Sequence, residues 1–439
     1  MTGGPTVSLA KQTVRWGLTH AFPRALLNTA ARKGDLQARL FRESAEIPTL
    51  SLTGLFDEIH DRSSVIRGKY SYLVSRHAVV REVLTSPDVR AGIERVDGPL
   101  GTMANWAMSD HLHPIEPPSL LATEPPDHTR YRKLVTRVFT ARAVEKLRTR
   151  TEEIATELLD DMAARADRGE AVDLIESYCS LLPVTVIAEI LGVPDHERHR
   201  VLTLGTAAAP SLDMGMSWRQ FRDTDRALQE FDDWLGHHLA KLKAEPGDNL
   251  LSQLVAARED GVGLDDKELR ATAGLVLAAG FETTVNLLGN GISLLRAHPE
   301  QRDKLRQDAQ LWPGAVDEIL RIDPPVLLTG RTAVRDTEIA GEPVRAGSIL
   351  TTLLAGANRD PEVFDDPHTF DVTRHNAREH ISFSSGRHYC LGAALARMEG
   401  EVGLNALFDR FPDLELLPGA QHRPTRILRG FETLPAKLR

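Results

Sequence analysis

The sequence predicts a mainly α-helical protein with a smaller β portion, an α+β fold built around one long central helix. Three observations predict it. Leu264 to Ala297 keeps helical character over a stretch that reaches about 50 Å at 1.5 Å per residue, enough to cross a whole domain. Leu174 to Leu191 is rich in apolar residues and reads as a second, buried helix. Residues 331–354 then switch to strand-like runs, with turn signals at Gly341 and at Ala346-Gly347.

The bulk numbers agree with a large globular protein. The chain has 439 residues, of which 41% are hydrophobic and 26% charged. Length alone suggests two or three domains. Charge and hydrophobicity nevertheless run evenly, without internal repeats or a low-complexity linker, so one domain over residues 1–439 is expected. A net charge of −9 gives no support for nucleic-acid binding. Two cysteines argue for a reducing compartment and against a disulfide framework, and they exclude a four-cysteine metal site. Met1-Thr2-Gly3-Gly4-Pro5 lacks the charged and apolar regions of a signal peptide, and no apolar run approaches the length of a membrane anchor. A soluble, cytoplasmic monomer is expected.

Along the chain, residues 1–45 form an N-terminal segment. Val14, Trp16, Leu18, Phe22, Leu26 and Leu27 alternate there with Arg15, Arg24, Arg32 and Lys33. An amphipathic helix packed on the domain is favoured over one lying on a membrane. Lys69 to Val74 reads as a strand and Ser75 to Leu84 as a short helix. Residues 87–122, dense in Gly and Pro, are expected to be irregular, and such long irregular stretches tend to be functional. Helical character returns from Thr129, where Val135, Val138 and Phe139 share a face, and continues in a highly charged helix from Ala143 to about Arg165. Cys179 lies inside the buried helix and is taken as core. Gly192-Val193-Pro194 breaks that helix. His196 to Lys243 forms two helical stretches around a loop at Ala208–Gly215. In the central helix, Asp265 with Glu268 makes a capping box and Pro299 marks the end. Leu311 to Ile322 is one more helix, and residues 358–382 are irregular.

The chemistry concentrates in Phe383-Ser384-Ser385-Gly386-Arg387-His388-Tyr389-Cys390-Leu391-Gly392. The strong helix formers Ala393 to Met398 follow, so Cys390 stands where a turn runs into a helix N-terminus. That position favours the thiolate, a soft metal ligand. Gly386 and Gly392 suit a positive φ or close approach to a flat group. A single cysteine held this way fits one axial thiolate on haem.

This loop resembles the haem-binding signature of the cytochrome P450 monooxygenases, with Ser384 standing where many members have Gly. The resemblance implies that Cys390 is the proximal iron ligand of haem b and that Phe383, Gly386, His388 and Gly392 shape its cofactor-binding loop. It extends over nearly the whole chain. Ala278-Ala279-Gly280-Phe281-Glu282-Thr283-Thr284 resembles the family's oxygen-binding kink. On that match Ala279, Gly280 and Thr283 border the haem. Glu282 and Thr283 form the acid–alcohol pair, in which the hydroxyl attends bound O2 and the carboxylate relays protons. The residue types alone, a mid-helix Gly and two threonines, indicate a disturbed or widened helix. Glu318-Ile319-Leu320-Arg321 matches the Glu-x-x-Arg brace, and Arg374 its third member. His128, Arg132, Arg331 and His388 match positions that bind the haem propionates. By family position the substrate pocket takes Met103, Trp106, Met108, Val276, Ala279, Phe281, Val326, Leu327, Leu328 and Phe431.

The resemblance implies a haem-thiolate monooxygenase that inserts one atom of O2 into a hydrophobic substrate, by hydroxylation or epoxidation. A lipid, steroid, terpenoid or polyketide-like substrate suits the apolar pocket. No Gly-x-Gly-x-x-Gly fingerprint is present. A reductase domain is therefore not expected, and NAD(P)H acts only indirectly, through a ferredoxin and ferredoxin reductase. Arg378, Arg387 and Arg397 would present a basic face to the ferredoxin. The alternatives are a peroxide-driven peroxygenase or haem-thiolate isomerase, and a non-catalytic haem-binding or sensor protein.

Overall fold

The computed structural model describes residues 9–92, 98–108, 111–136, 141–258 and 261–438. Met1–Pro5, Val138 and Phe139 lie outside them. The chain opens with α1 (Leu9–Trp16), a wide π turn, α2 (Phe22–Ala31) and α3 (Leu36–Glu43). None of the residues of α1 is buried, so polar and aromatic contacts hold it. Arg15 pairs with Asp225, Gln12 donates to the same carboxylate at 3.0 Å, and Trp16 Nε1 donates to the Met216 carbonyl at 3.0 Å. The N-terminal segment is thus packed on the protein, as its amphipathic pattern predicts.

Next come α4 (Thr53–Arg62), α5 (His77–Thr85) and α6 (Gly98–Ala107). Helix α6 falls inside the stretch 87–122 expected to be irregular. Pro99 accounts for the error: in the first turn of a helix a proline lacks no needed N–H and its fixed φ is already helical. Then follow α7 (Asp127–Thr136) and α8 (Ala141–Asp167). A π turn at Ile175–Cys179 leads into α9 (Leu181–Ile190), with Cys179 fully buried. Helices α10 (Asp195–Ala208), α11 (Trp218–Ala244) and α12 (Leu250–Ala256) precede the 32-residue α13 (Asp266–Ala297). The chain continues with α14 (Pro299–Gln307), α15 (Trp312–Ile322), the single turn α16 (Leu354–Ala357) and α17 (Ala393–Arg410).

Both halves of the predicted capping box open α13: Asp265 accepts from the Glu268 amide, and Glu268 accepts from the Asp265 amide. Among the described residues α13 is the one unbent helix long and apolar enough to cross a bilayer. With 61% of that window buried, it is instead the core helix. It packs against α9, α10, α11, α15 and α17. Close approach to α10 depends on Gly205, where a Cβ would stand 2.3 Å from Phe281 Cζ.

The strands are short: β1 (Val65–Arg67), β2 (Tyr72–Val74), β3 (Val89–Arg90), β4 (Val172–Asp173), β5 (Leu328–Ala333), β6 (Thr337–Ile339), β7 (Glu342–Val344), β8 (Ile349–Leu353), β9 (Glu415–Leu416), β10 (Gln421–His422), β11 (Phe431–Thr433) and β12 (Pro435–Lys437). The main sheet has the order β1-β2-β8-β5-β3. Positive φ at Gly341 and Gly347 makes the two turns read from the sequence. In a smaller sheet β12 lies between β4 and β9.

The irregular chain between α16 and α17 is tied to α15 by a buried charge cluster. Arg321 Nε donates to Glu318 at 2.7 Å, and both side chains are inaccessible to solvent. Arg374 reaches the other Glu318 oxygen at 3.2 Å. Arg321 also donates to the carbonyls of Asn358, Pro367 and Thr369 at 2.8–3.0 Å. Glu318 in turn accepts from the Asp371 amide at 3.0 Å. Removing one partner strands the other's charge in the core, a loss of about 3–5 kcal/mol. Glu318→Ala is therefore expected to lower the unfolding free energy measured in urea by that amount, with Arg374→Ala, whose partner keeps Arg321, losing less.

Candidate active site

The cysteine loop folds on itself. The Cys390 amide donates to the Phe383 carbonyl at 2.9 Å, and the Ser384 amide to that of Ile381 at 2.9 Å. Gly386 takes φ +67° and lies so close to α5 that a Cβ would stand 2.6 Å from the Leu84 carbonyl oxygen. Ser384, where the family prefers Gly, also takes a left-handed φ of 63°, and its hydroxyl is buried without a partner. Gly392 meets nothing within 4 Å on its Cβ side.

Cys390 is exposed as a residue, yet protein surrounds its thiol closely enough for burial to raise the pKa. The Gly392 amide and the charges of Arg132 and Arg397 oppose that rise without overcoming it. This corrects the expectation that the helix N-terminus alone would favour the thiolate: desolvation outweighs the dipole.

Three nitrogen-bearing side chains stand near the loop. His128 and Arg132 are four apart on α7. Burial, then the neighbouring His388, push His128 down to about 4, and its Nε2 is buried without a partner. Burial lowers Arg132, with the Cys390 charge acting the other way. Among the described residues Arg331 on β5 donates to Thr329 Oγ1 at 3.0 Å and to the Gly330 carbonyl at 2.7 Å; burial brings it to about 10. None of the three pairs with a carboxylate among the described residues. His388 stands beside His128 as expected, their ring centres 4.5 Å apart, but it is also paired: its Nε2 lies 3.0 Å from Glu124 Oε1, while Arg387 holds Glu124 Oε2 at 2.8 Å. Burial works against the Glu124 carboxylate, but His388, the Ala91 amide and Arg387 hold it at about 2. Sequence reading missed Glu124, although it stands four residues before His128.

On α13, Val276, Ala279 and Thr283 share the more open face while Leu277, Phe281 and Glu282 are buried. The helix runs unbroken through the expected kink, with the Thr283 hydroxyl donating to the Ala279 carbonyl at 3.0 Å. Gly280 packs on Ile187, 3.0 Å from where a Cβ would be, so α9 explains this glycine. Glu282 is buried against Arg423, with Thr206 Oγ1 3.5 Å from its other oxygen. It is not turned to solvent as a free proton relay would be, and Arg423 was not foreseen.

The pocket reading needs correction. Phe281, Leu327, Leu328 and Phe431 belong to the packed core. Their apolar character served packing, and Phe281 in particular fills the space Gly205 leaves. Trp106 is half exposed, with Lys11 of α1 5.8 Å from its ring centre. Met103 and Met108 are exposed, and Val326 and Val276 are half-buried. The basic face is also thinner than expected. Arg387 is taken by Glu124, and Arg397 donates to Asp317 at 2.7 Å and stacks on Phe383. Only Arg378 stays exposed.

A reachable thiol in a glycine turn, an orphaned His128 nitrogen and uncompensated Arg132 and Arg331 fit the iron and propionates of a haem, and so define a haem-thiolate enzyme. Residues 184–438 match the family model described as Cytochrome P450. "Putative cytochrome P450 140" of Mycobacterium tuberculosis is 49% identical over 433 residues, 98% of each chain. "6-deoxyerythronolide B hydroxylase" of Saccharopolyspora erythraea is 41% identical over 72% of this chain and 77% of its own. The solved structure of the Bacillus subtilis bacillaene polyketide synthase cytochrome P450 PksS superposes with a TM-score of 0.78 at 33% identity, covering 89% of this chain and 97% of that one. The chain belongs to the cytochrome P450 family of haem-thiolate monooxygenases, of the bacterial type, with haem b on a cysteine and O2 as oxidant.

Two predictions follow from the loop. A non-glycine residue in the left-handed region costs about 1–2 kcal/mol, so Ser384→Gly is expected to stabilise the protein by about 1 kcal/mol in urea denaturation. Glu124 has a folded-state pKa below its unfolded value of 4.5. Its stabilisation is therefore complete above pH 4.5 and fades as pH falls toward about 2. With 21% of the side chain exposed, solvent screening reduces that stabilisation to on the order of 2 kcal/mol. The stability gap between wild type and Glu124→Gln should be full at pH 6 and narrow steadily below pH 4.5.

Proposed function

We propose that the protein inserts one oxygen atom from O2 into a hydrophobic organic molecule of medium or large size, of polyketide or macrolide type, by hydroxylation or epoxidation. The observation that carries this reading is the exposed Cys390 in its glycine turn. The names of two similar proteins, a 6-deoxyerythronolide B hydroxylase and a bacillaene polyketide synthase P450, favour a polyketide-like substrate over the lipid, steroid or terpenoid alternatives. Residues 1–439 act as one haem domain in the cytoplasm. Electrons come from a separate ferredoxin and its NAD(P)H-dependent reductase, docking near Arg378.

Bound haem supplies the reductive activation of O2. The chain's own residues hold it and manage protons. Cys390 ligates the iron through Sγ, aided as a thiolate by the Gly392 amide, Arg132 and Arg397. His128 Nε2, Arg132 and Arg331 receive the propionates. Thr283 donates to the Ala279 carbonyl, which leaves its oxygen lone pairs free to accept a proton donor. Glu282 lies buried against Arg423, so a proton path through its oxygen requires Arg423 to swing aside. Val276 and Ala279 supply apolar surface that keeps water from the reacting atoms. The adjacent acid and alcohol favour a monooxygenase over a peroxide-driven enzyme, which needs no proton delivery.

Reduced protein exposed to carbon monoxide should show the strongly red-shifted Soret band of a cysteine thiolate, and Cys390→His should move it to the position of histidine-ligated haem. With ferredoxin, reductase, NADPH and a macrolactone, label from isotopic O2 should enter the product. Thr283→Ala should lower product formed per NADPH by on the order of 10²-fold. Equal turnover with peroxide alone, or tight spectral binding only of small charged compounds, would overturn the reading.

A further inference from the structure

The N-terminal helices and the C-terminal segment before β11 enclose a surface cavity of about 270 Å³. Four arginines line it, Arg24, Arg32, Arg42 and Arg426, against one acid, Glu46. Leu27 and Phe41 form part of an apolar floor. Arg24 and Arg32 are exposed and meet no carboxylate among the described residues. The nearest carboxylate to Arg42 is that of Glu43, at 3.6 Å.

Arg426 is the fixed member. Its Nε donates to the Phe41 carbonyl and its Nη1 to the Met214 carbonyl, both at 3.0 Å, and its guanidinium lies 4.9 Å from the Phe41 ring centre. The loop at Gly215 closes one side: a Cβ there would stand 3.6 Å from both Arg24 Cβ and Arg426 Nη2. The Arg426 amide donates to Asp213 at 2.7 Å, so the same residue holds the loop between α10 and α11.

In a chain with net charge −9, the nearby carboxylates Glu43, Glu46 and Asp213 are outnumbered by four guanidinium groups around one cleft. Their mutual repulsion opposes folding. A multiply charged anion with several acceptor oxygens relieves it, and the planar fork of arginine suits phosphate. We propose that this cleft binds a phosphate ester whose short apolar body rests on Leu27 and Phe41. The chemistry is shared by a free organic phosphate and a phospholipid headgroup. The site is separate from the thiol and depends on no step of the proposed reaction. Occupancy would join α2 and α3 to the Met214 loop through Arg426.

The test is titration calorimetry of the haem-loaded protein with hexyl phosphate, beside sedimentation with phosphatidate and phosphatidylcholine vesicles. One saturable site for hexyl phosphate, weakened tenfold or more between low and high salt and absent for hexanol, supports a free phosphate. Retention on phosphatidate vesicles alone supports the headgroup form. In either case Arg24→Glu with Arg32→Glu should weaken binding at least tenfold while the carbon monoxide spectrum is unchanged. Arg24→Gln with Arg32→Gln, a milder pair, should weaken it less. No saturable binding to either phosphate form, or equal affinity in wild type and both double variants, would overturn the proposal.

Discussion

The carboxylate of Glu318 has no access to water, and three groups depend on it. Arg321 shares its helix, Arg374 reaches it from the irregular chain, and the Asp371 amide points at it. That chain contains little regular structure, so few of its backbone groups can satisfy one another. Arg321 takes up three of its carbonyls. The cysteine loop follows directly, and its position over the core rests on how firmly residues 358–374 are held.

Some local signals in the sequence are legible and others mislead, while most of the distant pairings leave no signal at all. The start of α13 is legible because Asp265 and Glu268 cap each other three residues apart. The turns at Gly341 and Gly347 are legible because a positive φ selects glycine. Helix α6 was missed because Gly and Pro normally break helices, and Pro99 is tolerated only in the first turn. The pocket was overdrawn for a different reason. Phe281, Leu327 and Phe431 are apolar whether they face a ligand or a neighbouring helix, and only packing tells the two apart. Glu124 with Arg387 and His388, and Glu282 with Arg423, join residues more than a hundred positions apart. No spacing rule connects them, although a charged residue beside a motif is a fair place to look for such a partner.

The environment of Cys390 is also a balance and not a single effect. Burial favours the neutral thiol, while an amide and two guanidinium groups favour the anion. A thiol so placed gives up its proton readily only when a cation takes over the charge, so metal uptake and proton release are linked.

The position of β12 has a consequence for handling the protein. Pro435–Lys437 is the middle strand of its sheet, paired on one side with β4 and on the other with β9, and Ala436 is fully buried. Trimming these few residues would open two ladders at once and expose the edge of β4, which leads into the π turn before α9. Purification tags therefore belong beyond β12 on a spacer or at the opposite end, where α1 contributes no buried side chain.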